Sequence, residues 1–400
     1  MTRTRRGLTM HSLVRQLFVI SATAVAASTL AGRTGVAQEP GARRGDPQLV
    51  SPEVAADRRV TFRLRAPEAK AVTVSGDFGN DVEMRRAADG VWSATIGPLD
   101  PEMYVYYFTA DGVRLPDPSN PQVKIGYVTS TTTSLFTVPG DAPSFYDVQD
   151  VPHGEIRTLL YKSRSNGVTR ELTVYVPPGY DEARNRRYPV LYLLHGFAND
   201  HHSWHRYGRA NDILDNLLAQ RTIEPLLVVM PLGYGGAQVN GDGTGIPPKG
   251  AGTLGGDAAL YERDLLEDII PMIDRKYRTS ADRRHRAIVG FSMGGGQAGR
   301  FGLRHLETFS HVGIMSAGMA GGPDTEPLAT LAANPAKANK EIDLLWIACG
   351  KDDTAMKGAK TLHYALEQAR IEHTFLETEG AHHWRVWRRY LRDLAPLLFR

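Results

Sequence analysis

The chain has 400 residues, 23% of them charged, and a formal net charge of +3. That length accommodates two domains and a tail, and a charge balance so near neutrality gives no footing for nucleic-acid binding. The single cysteine, Cys349, excludes an internal disulfide, so stability has to come from a buried core.

The first forty residues read as an export signal. Arg3, Arg5, Arg6 and Arg15 form a positive start, residues 17–30 are an apolar and small-residue run, and Gly35-Val36-Ala37 offers a cleavage site before Gln38. The run is too short and too rich in Ala, Ser and Thr to span a bilayer stably; an uncleaved anchor is the alternative. Thr4-Arg5-Arg6-Gly7-Leu8 resembles a twin-arginine signal, although the pair stands far from the apolar run. The expectation is removal of residues 1–37, a periplasmic or secreted protein, and no membrane contact after cleavage. Residues 38–53, rich in Gly, Pro, Arg and Gln at their start, are expected to be a disordered tail.

Residues 54–138 carry strand patterns. Val60-Thr61-Phe62-Arg63-Leu64, Ala71-Val72-Thr73-Val74 and Val91-Trp92-Ser93-Ala94-Thr95-Ile96 alternate apolar with polar, residues 103–110 are aromatic-rich, and Asp111-Gly112 supplies a hairpin turn. Leu135-Phe136-Thr137-Val138 closes the set, which predicts a small β-sandwich. Trp92, Tyr104, Tyr106 and Phe108 are expected in its core, with glycan contact as the alternative. Residues 139–152 form a linker with three prolines.

From residue 153 the rhythm changes. Strands are predicted at residues 173–176, 190–194, 226–230, 286–289, 312–315 and 344–348, and helices at about 210–219, 261–277, 297–304 and 386–398. Alternation of this kind means a mostly parallel sheet covered by helices on both faces, an α/β architecture behind a small β-sandwich.

Gly290-Phe291-Ser292-Met293-Gly294 matches G-x-S-x-G in the context the motif needs, after a strand and before a helix. A tight strand-to-helix turn thrusts the serine out at the end of the sheet, and the helix N-terminus points its N–H groups at the developing oxyanion. A serine needs a base and the base needs an orienting acid. In Ser–acid–His order, the acid follows the 344–348 strand, where Asp352 and Asp353 compete and triad geometry favours Asp353. The histidine belongs in the loop before the last helix, where His382 and His383 compete. Oxyanion donors are the backbone N–H groups of Met293 and of Phe197, the latter in the loop after Leu193-Leu194-His195-Gly196. Trp384 and His195 are candidates for substrate contact.

Two other motifs are read more plainly. His201-His202-x-x-His205 lacks a carboxylate or cysteine close in sequence to complete a zinc set, Asp200 being only a possible addition. It is taken as a polar loop at the rim of the site, and neither a metal nor another cofactor is expected. Residues 233–256 are Gly-rich without the G-K-[ST] of a phosphate loop, and are read as a mobile substrate-side loop. Cys349 ends an apolar strand and is expected to be a buried thiol.

Taken together, Tyr192-Leu193-Leu194-His195-Gly196, Val228-Val229-Met230-Pro231, Gly290-Phe291-Ser292-Met293-Gly294-Gly295 and His382-His383-Trp384-Arg385-Val386-Trp387 resemble carbohydrate esterase family 1, the esterase-D-like group that includes feruloyl and acetylxylan esterases and mycolyltransferases. The resemblance covers about residues 151–400 and implies an α/β-hydrolase fold. It places the catalytic histidine at His382, through a histidine–any residue–aromatic pattern. It places the acid at Asp353, through C-G-x-x-D, and the second oxyanion donor at Phe197. The sandwich resembles the early-set modules of carbohydrate-binding family 48. The implied function is a serine esterase removing feruloyl or acetyl groups from plant polysaccharide such as arabinoxylan. Siderophore-trilactone hydrolysis or acyl transfer to a sugar are the alternatives with the same triad, and a non-catalytic glycan-binding protein is the alternative without it.

Overall fold

The structure is a computed structural model that describes residues 49–127, 129, 131–239, 245–246, 257–319 and 326–400. The expected export signal and most of the tail lie outside the described residues. Residues 49–400 form one compact unit.

The N-terminal part is two facing antiparallel sheets. One orders its strands Glu53–Val54, Val60–Arg65, Val91–Ile96 and Arg85–Arg86; the other runs Gly79–Glu83, Val72–Gly76, Glu102–Ala110, Thr132–Val138 and Val123–Ile125. Alternation in Val60–Arg65 sends Val60, Phe62 and Leu64 inward, and in Glu102–Ala110 it sends Tyr104, Tyr106 and Phe108 inward. Phe62, Tyr106 and Phe136 meet edge-on or tilted, and Tyr104 stacks on Phe136. Trp92 is buried with Nε1–H donating to the Ala66 carbonyl. All four expected core aromatics therefore pack, which leaves none of them as a glycan platform.

The larger part is an eight-stranded sheet of β1 (Glu155–Ser163), β2 (Val168–Val176), β3 (Val190–Leu194), β4 (Leu227–Pro231), β5 (Arg286–Phe291), β6 (His311–Met315), β7 (Leu344–Gly350) and β8 (Thr374–Thr378), in spatial order β1-β2-β4-β3-β5-β6-β7-β8. The β1–β2 hairpin is antiparallel, and β2 is antiparallel to β4; every pairing from β4 to β8 is parallel. Strands β3 to β6 are buried throughout, as required when helices cover both faces. The helices that matter for the site are α1 (Ala210–Ala219), α2 (Met293–Arg304), α3 (Met356–Gln368) and α4 (Trp384–Leu394). Strands β1 and β8 and helix α3 lie outside the sequence expectation. β1 and β8 flank the sheet and are only partly buried, so their apolar signal is diluted by charged residues. The predicted 261–277 helix is one helical run, Ala258–Arg263 and Ile270–Lys276 joined through a π-helical stretch, Asp264–Ile269.

Two buried arginines fix the architecture around the sheet's C-terminal edge. Arg170 on β2 is fully buried, lies 3.0 Å from the Asp264 carboxylate, and donates to the carbonyls of Leu232, Tyr234 (2.8 Å) and Ala237 (2.7 Å). The start of the Gly-rich segment, expected to be mobile, is thus held fixed in the interior as far as Ala237; beyond Val239 it lies largely outside the described residues. Arg388 on α4 is equally buried. It donates to Glu102 (2.7 Å) and the Met103 carbonyl (2.9 Å) of the sandwich, and to the Tyr207 carbonyl (2.9 Å) of the hydrolase part. The helix that follows His382 is thereby locked to the sandwich.

Breaking such a pair leaves a buried, uncompensated charge, which costs about 3–5 kcal/mol. Glu102→Ala is accordingly expected to lower the midpoint of urea unfolding sharply, and an unchanged midpoint would show that the latch carries no stability.

Candidate active site

The site sits at the C-terminal ends of β3, β5, β6 and β7. β5 delivers Ser292 into a turn at φ 54°, ψ −122°, and α2 starts at the next residue. This is a left-handed backbone position for a residue with a Cβ, held in place by Ser292 N–H donating to the Met315 carbonyl (2.9 Å) and Ser292 C=O accepting from Gly296 N–H (3.0 Å).

Ser292 Oγ lies 2.9 Å from His382 Nε2, and His382 Nδ1 lies 2.8 Å from Asp353 Oδ1. With Nδ1 protonated, the imidazole donates to Asp353 and accepts from the Ser292 hydroxyl. The structure thus brings together the three residues singled out from the sequence. Asp353 is buried; burial raises its carboxyl, but bonds from His382, the Ala355 N–H and Ser316 outweigh that and hold it below the usual carboxylate range. Asp352 is exposed on the outside of the same turn. His383 has Nδ1 buried without a partner, and burial lowers its pKa to about 4. Its ring is thus neutral and belongs to the helix entry, not to the Ser292 hydroxyl.

The turn after β3 stands beside Ser292. Gly196 packs against β5 so closely that a Cβ there would fall 2.4 Å from the Phe291 ring and 3.1 Å from Ser292 Cβ. Only glycine lets this turn approach the nucleophile. Among the described residues, the N–H groups of Phe197 and Met293 find no acceptor; Met293 is the first residue of α2, where an N–H has no partner inside the helix. The Phe197–Ala198 turn is closed by Asn199 N–H on the Gly196 carbonyl (3.2 Å) and Asn199 Nδ2 on the Phe197 carbonyl (2.8 Å), with Ala198 at φ 60°. Its Ala198 carbonyl accepts from Tyr127 N–H of the sandwich (3.2 Å), and the Tyr127 ring stacks on Tyr234 at 5.3 Å. Tyr127, Phe197 and Met293 all pack on the small core of Leu232, Tyr234 and Ala237. No motif in the sequence marks this contact.

Two expected substrate contacts are corrected. Trp384 is 4% exposed and packs edge-on against Phe291, Trp204 and Trp387, so the first turn of α4 spends it on the core. His195 is 1% exposed, donates Nδ1–H to the Gly196 carbonyl (2.8 Å) and accepts from Gly233 N–H at Nε2 (2.8 Å). Burial lowers its pKa to about 4, which keeps the imidazole in this bridging tautomer. It positions the turn and does not face substrate. Residues overlooked in the sequence support the triad. The Trp387 and His382 rings meet nearly at right angles (5.1 Å between centroids), and Trp387 donates Nε1–H to Ser316 Oγ (2.9 Å), while Ser316 supports Asp353.

A cavity of about 460 Å³ opens in front of Ser292 and His382, within the range of small-molecule sites. Met293, Ala317 and Met319 give it apolar walls, and Gln297, Ser316 and Thr354 add polar ones. Cys349, near the end of β7, is buried against Met356 and Ala359 and its thiol is pushed up to about 12, which suits a packing role.

The family described as "Putative esterase" matches residues 163–397, more than half the chain. The chain belongs to this esterase family. Residues 50–122 match carbohydrate-binding module 48, the isoamylase N-terminal domain. The chain is 33% identical to the endo-1,4-beta-xylanase/feruloyl esterase of Xylanibacter ruminicola over 87% of its own length and 46% of that protein, and 26% identical to endo-1,4-beta-xylanase Y of Acetivibrio thermocellus over 58% of its own length and 22% of that protein. The esterase thus spans less than half the length of either relative. Among solved structures it resembles a ferulic acid esterase of Anaeromyces mucronatus in complex with ferulic acid (25% identity, TM-score 0.54, 64% of this chain and 96% of that one). The enterobactin esterase of Shigella flexneri shares the fold over both parts (19% identity, TM-score 0.63, 84% of this chain and 92% of that one).

The neutral histidines of the site give stability a definite pH dependence. His195 and His383 have folded pKa values near 4 against 6.5 for the free side chain, so below pH 6.5 the unfolded chain takes up protons that the folded chain refuses. Their contribution is complete above 6.5 and declines toward 4, by about 1.4 kcal/mol per pH unit for each. Urea unfolding is expected to give a lower free energy at about pH 5 than at about pH 7.5, and a smaller fall in His383→Asn. An equal fall in that variant would remove His383 from the account.

Proposed function

We propose that this esterase hydrolyses feruloyl esters on plant cell-wall polysaccharide such as arabinoxylan, acting outside the cytoplasm after loss of residues 1–37. The observation that carries the reading is the unbroken Ser292–His382–Asp353 hydrogen-bond chain opening on the 460 Å³ cavity. The likeness to an endo-1,4-beta-xylanase/feruloyl esterase over 87% of the chain supports the acyl class. Among the described residues no helix is long and apolar enough to cross a membrane.

In this reading Ser292 Oγ attacks the ester carbonyl while His382 Nε2 takes its proton. The resulting oxyanion is held by the N–H groups of Met293 and Phe197, and Asp353 stabilises the imidazolium. His382 then protonates the leaving sugar oxygen, giving an acyl-Ser292 intermediate. Water, deprotonated by His382, releases the acid. No cofactor or metal ion enters any step. The apolar walls from Met293, Ala317 and Met319 suit a planar aromatic acid, and an acetyl group would leave most of the cavity unfilled.

The test is hydrolysis of methyl ferulate and of acetylated xylan, side by side, by the chain and its Ser292→Ala variant. Ferulate release is expected, falling by roughly 10⁴-fold or more in the variant. Turnover surviving in Ser292→Ala would contradict the mechanism. Acetate release without ferulate release would replace feruloyl by acetyl in the reading, and cleavage of a catechol trilactone alone would turn it toward siderophores.

A further inference from the structure

The His201-His202-x-x-His205 run lacks a carboxylate nearby in sequence; the fold supplies one. Glu171, thirty residues upstream on β2, points its carboxylate at both histidines. Its Oε1 lies 2.7 Å from His201 Nε2 and 3.3 Å from His202 Nε2. The three donor atoms lie within 4.8 Å of one another, and Glu171 and His201 are buried at 6% and 3% exposure. We propose that Glu171, His201 and His202 form a zinc site that clips the oxyanion turn to β2.

Two observations support it. The donor set is two imidazoles and one carboxylate, the combination zinc takes in preference to magnesium or calcium. In a tetrahedral site with bonds of about 2.0–2.1 Å, neighbouring donors stand about 3.3–3.4 Å apart. The His202–Glu171 separation already has that value, and the His201–Glu171 pair, at hydrogen-bond distance, must open by about half an ångström. Next, a ligating histidine ordinarily donates its other N–H to a second group, and His202 Nδ1 has Thr173 Oγ1 at 3.2 Å for that purpose.

The placement gives the site a structural use. His201 follows Phe197 by four residues, and β2 also carries Arg170, which holds the opposite wall of the turn. An ion shared between Glu171 and the two histidines would tie the turn to the sheet from one side, as Tyr127 ties it from the other.

The experiment uses tag-free chain, stripped with a chelator and titrated with zinc alone, read by metal content after gel filtration and by melting temperature. Close to one zinc per chain is expected in the wild type and equally in Ser292→Ala, so the result is independent of the hydrolase reading. The melting temperature should rise by several degrees, as mass action requires of an ion bound only by the folded state. Glu171→Gln and His202→Asn should each lose nearly all bound zinc and the thermal shift. Absence of zinc binding by the stripped wild type, or binding in both variants equal to the wild type, would overturn the proposal; the wild-type titration decides it even where a variant fails to fold.

Discussion

The whole site depends on one backbone position. Ser292, at φ 54°, is held where an L-residue is strained, and it stays there because β5 and α2 are drawn together over it. The two glycines around it make that approach possible. A Cβ on Gly290 would fall 2.4 Å from the Gly294 backbone, and one on Gly294 would fall 2.5 Å from the His195 carbonyl. A local cost of about 1–3 kcal/mol is offset by the packing of α2 onto β5 and β6. The gain is a hydroxyl aimed away from the sheet toward His382, beside the first N–H of a helix. A less strained turn would lay the side chain along the strand and out of reach of the base.

Around that turn the structure is a set of clamps, each fixing one partner of Ser292. Asp353 is fixed by Ser316 and the Ala355 N–H, and His382 by Asp353 and the ring of Trp387. The Phe197–Ala198 turn is fixed by Gly196 against Phe291, by His195 to Gly233, and by Tyr127 from the sandwich. Arg388 joins the helix behind His382 to Glu102 of that sandwich. The N-terminal module therefore touches both the Phe197–Ala198 turn and the helix behind His382, which makes it part of the enzyme's scaffold as well as a separate sheet pair.

The parts legible in the sequence are those encoded locally. Alternation marked the buried sandwich strands such as Val60–Arg65, Val72–Gly76 and Val91–Ile96 but not the short exposed ones such as Gly79–Glu83 and Val113–Leu115, continuous apolar runs marked β3 to β7, and the glycines around Ser292 marked the turn. The motif resemblance placed Asp353 and His382, which the fold brings within hydrogen-bond reach. What was not legible depends on contacts between distant residues. His195 and Trp384 stand beside site residues in the sequence, yet their side chains turn into the core, because a strand end and a first helical turn point successive residues in different directions. Trp387, one helical turn further along, is the tryptophan that meets His382. Glu171 lies thirty residues from the histidines it faces, and no sequence pattern marks Arg170 or Arg388 as buried, because their carboxylate and carbonyl partners are distant in the chain. Charged residues on β1 and β8 likewise masked two strands, since a half-covered strand need not be apolar.

The central claim is that Ser292 is a nucleophile activated by His382. Incubation with an alkyl fluorophosphonate, followed by digestion and mass spectrometry, tests it directly. The account predicts a single adduct per chain, on Ser292 Oγ with loss of fluoride, and labelling slower by orders of magnitude in His382→Ala. An adduct on a different residue, or the same rate in that variant, would contradict it.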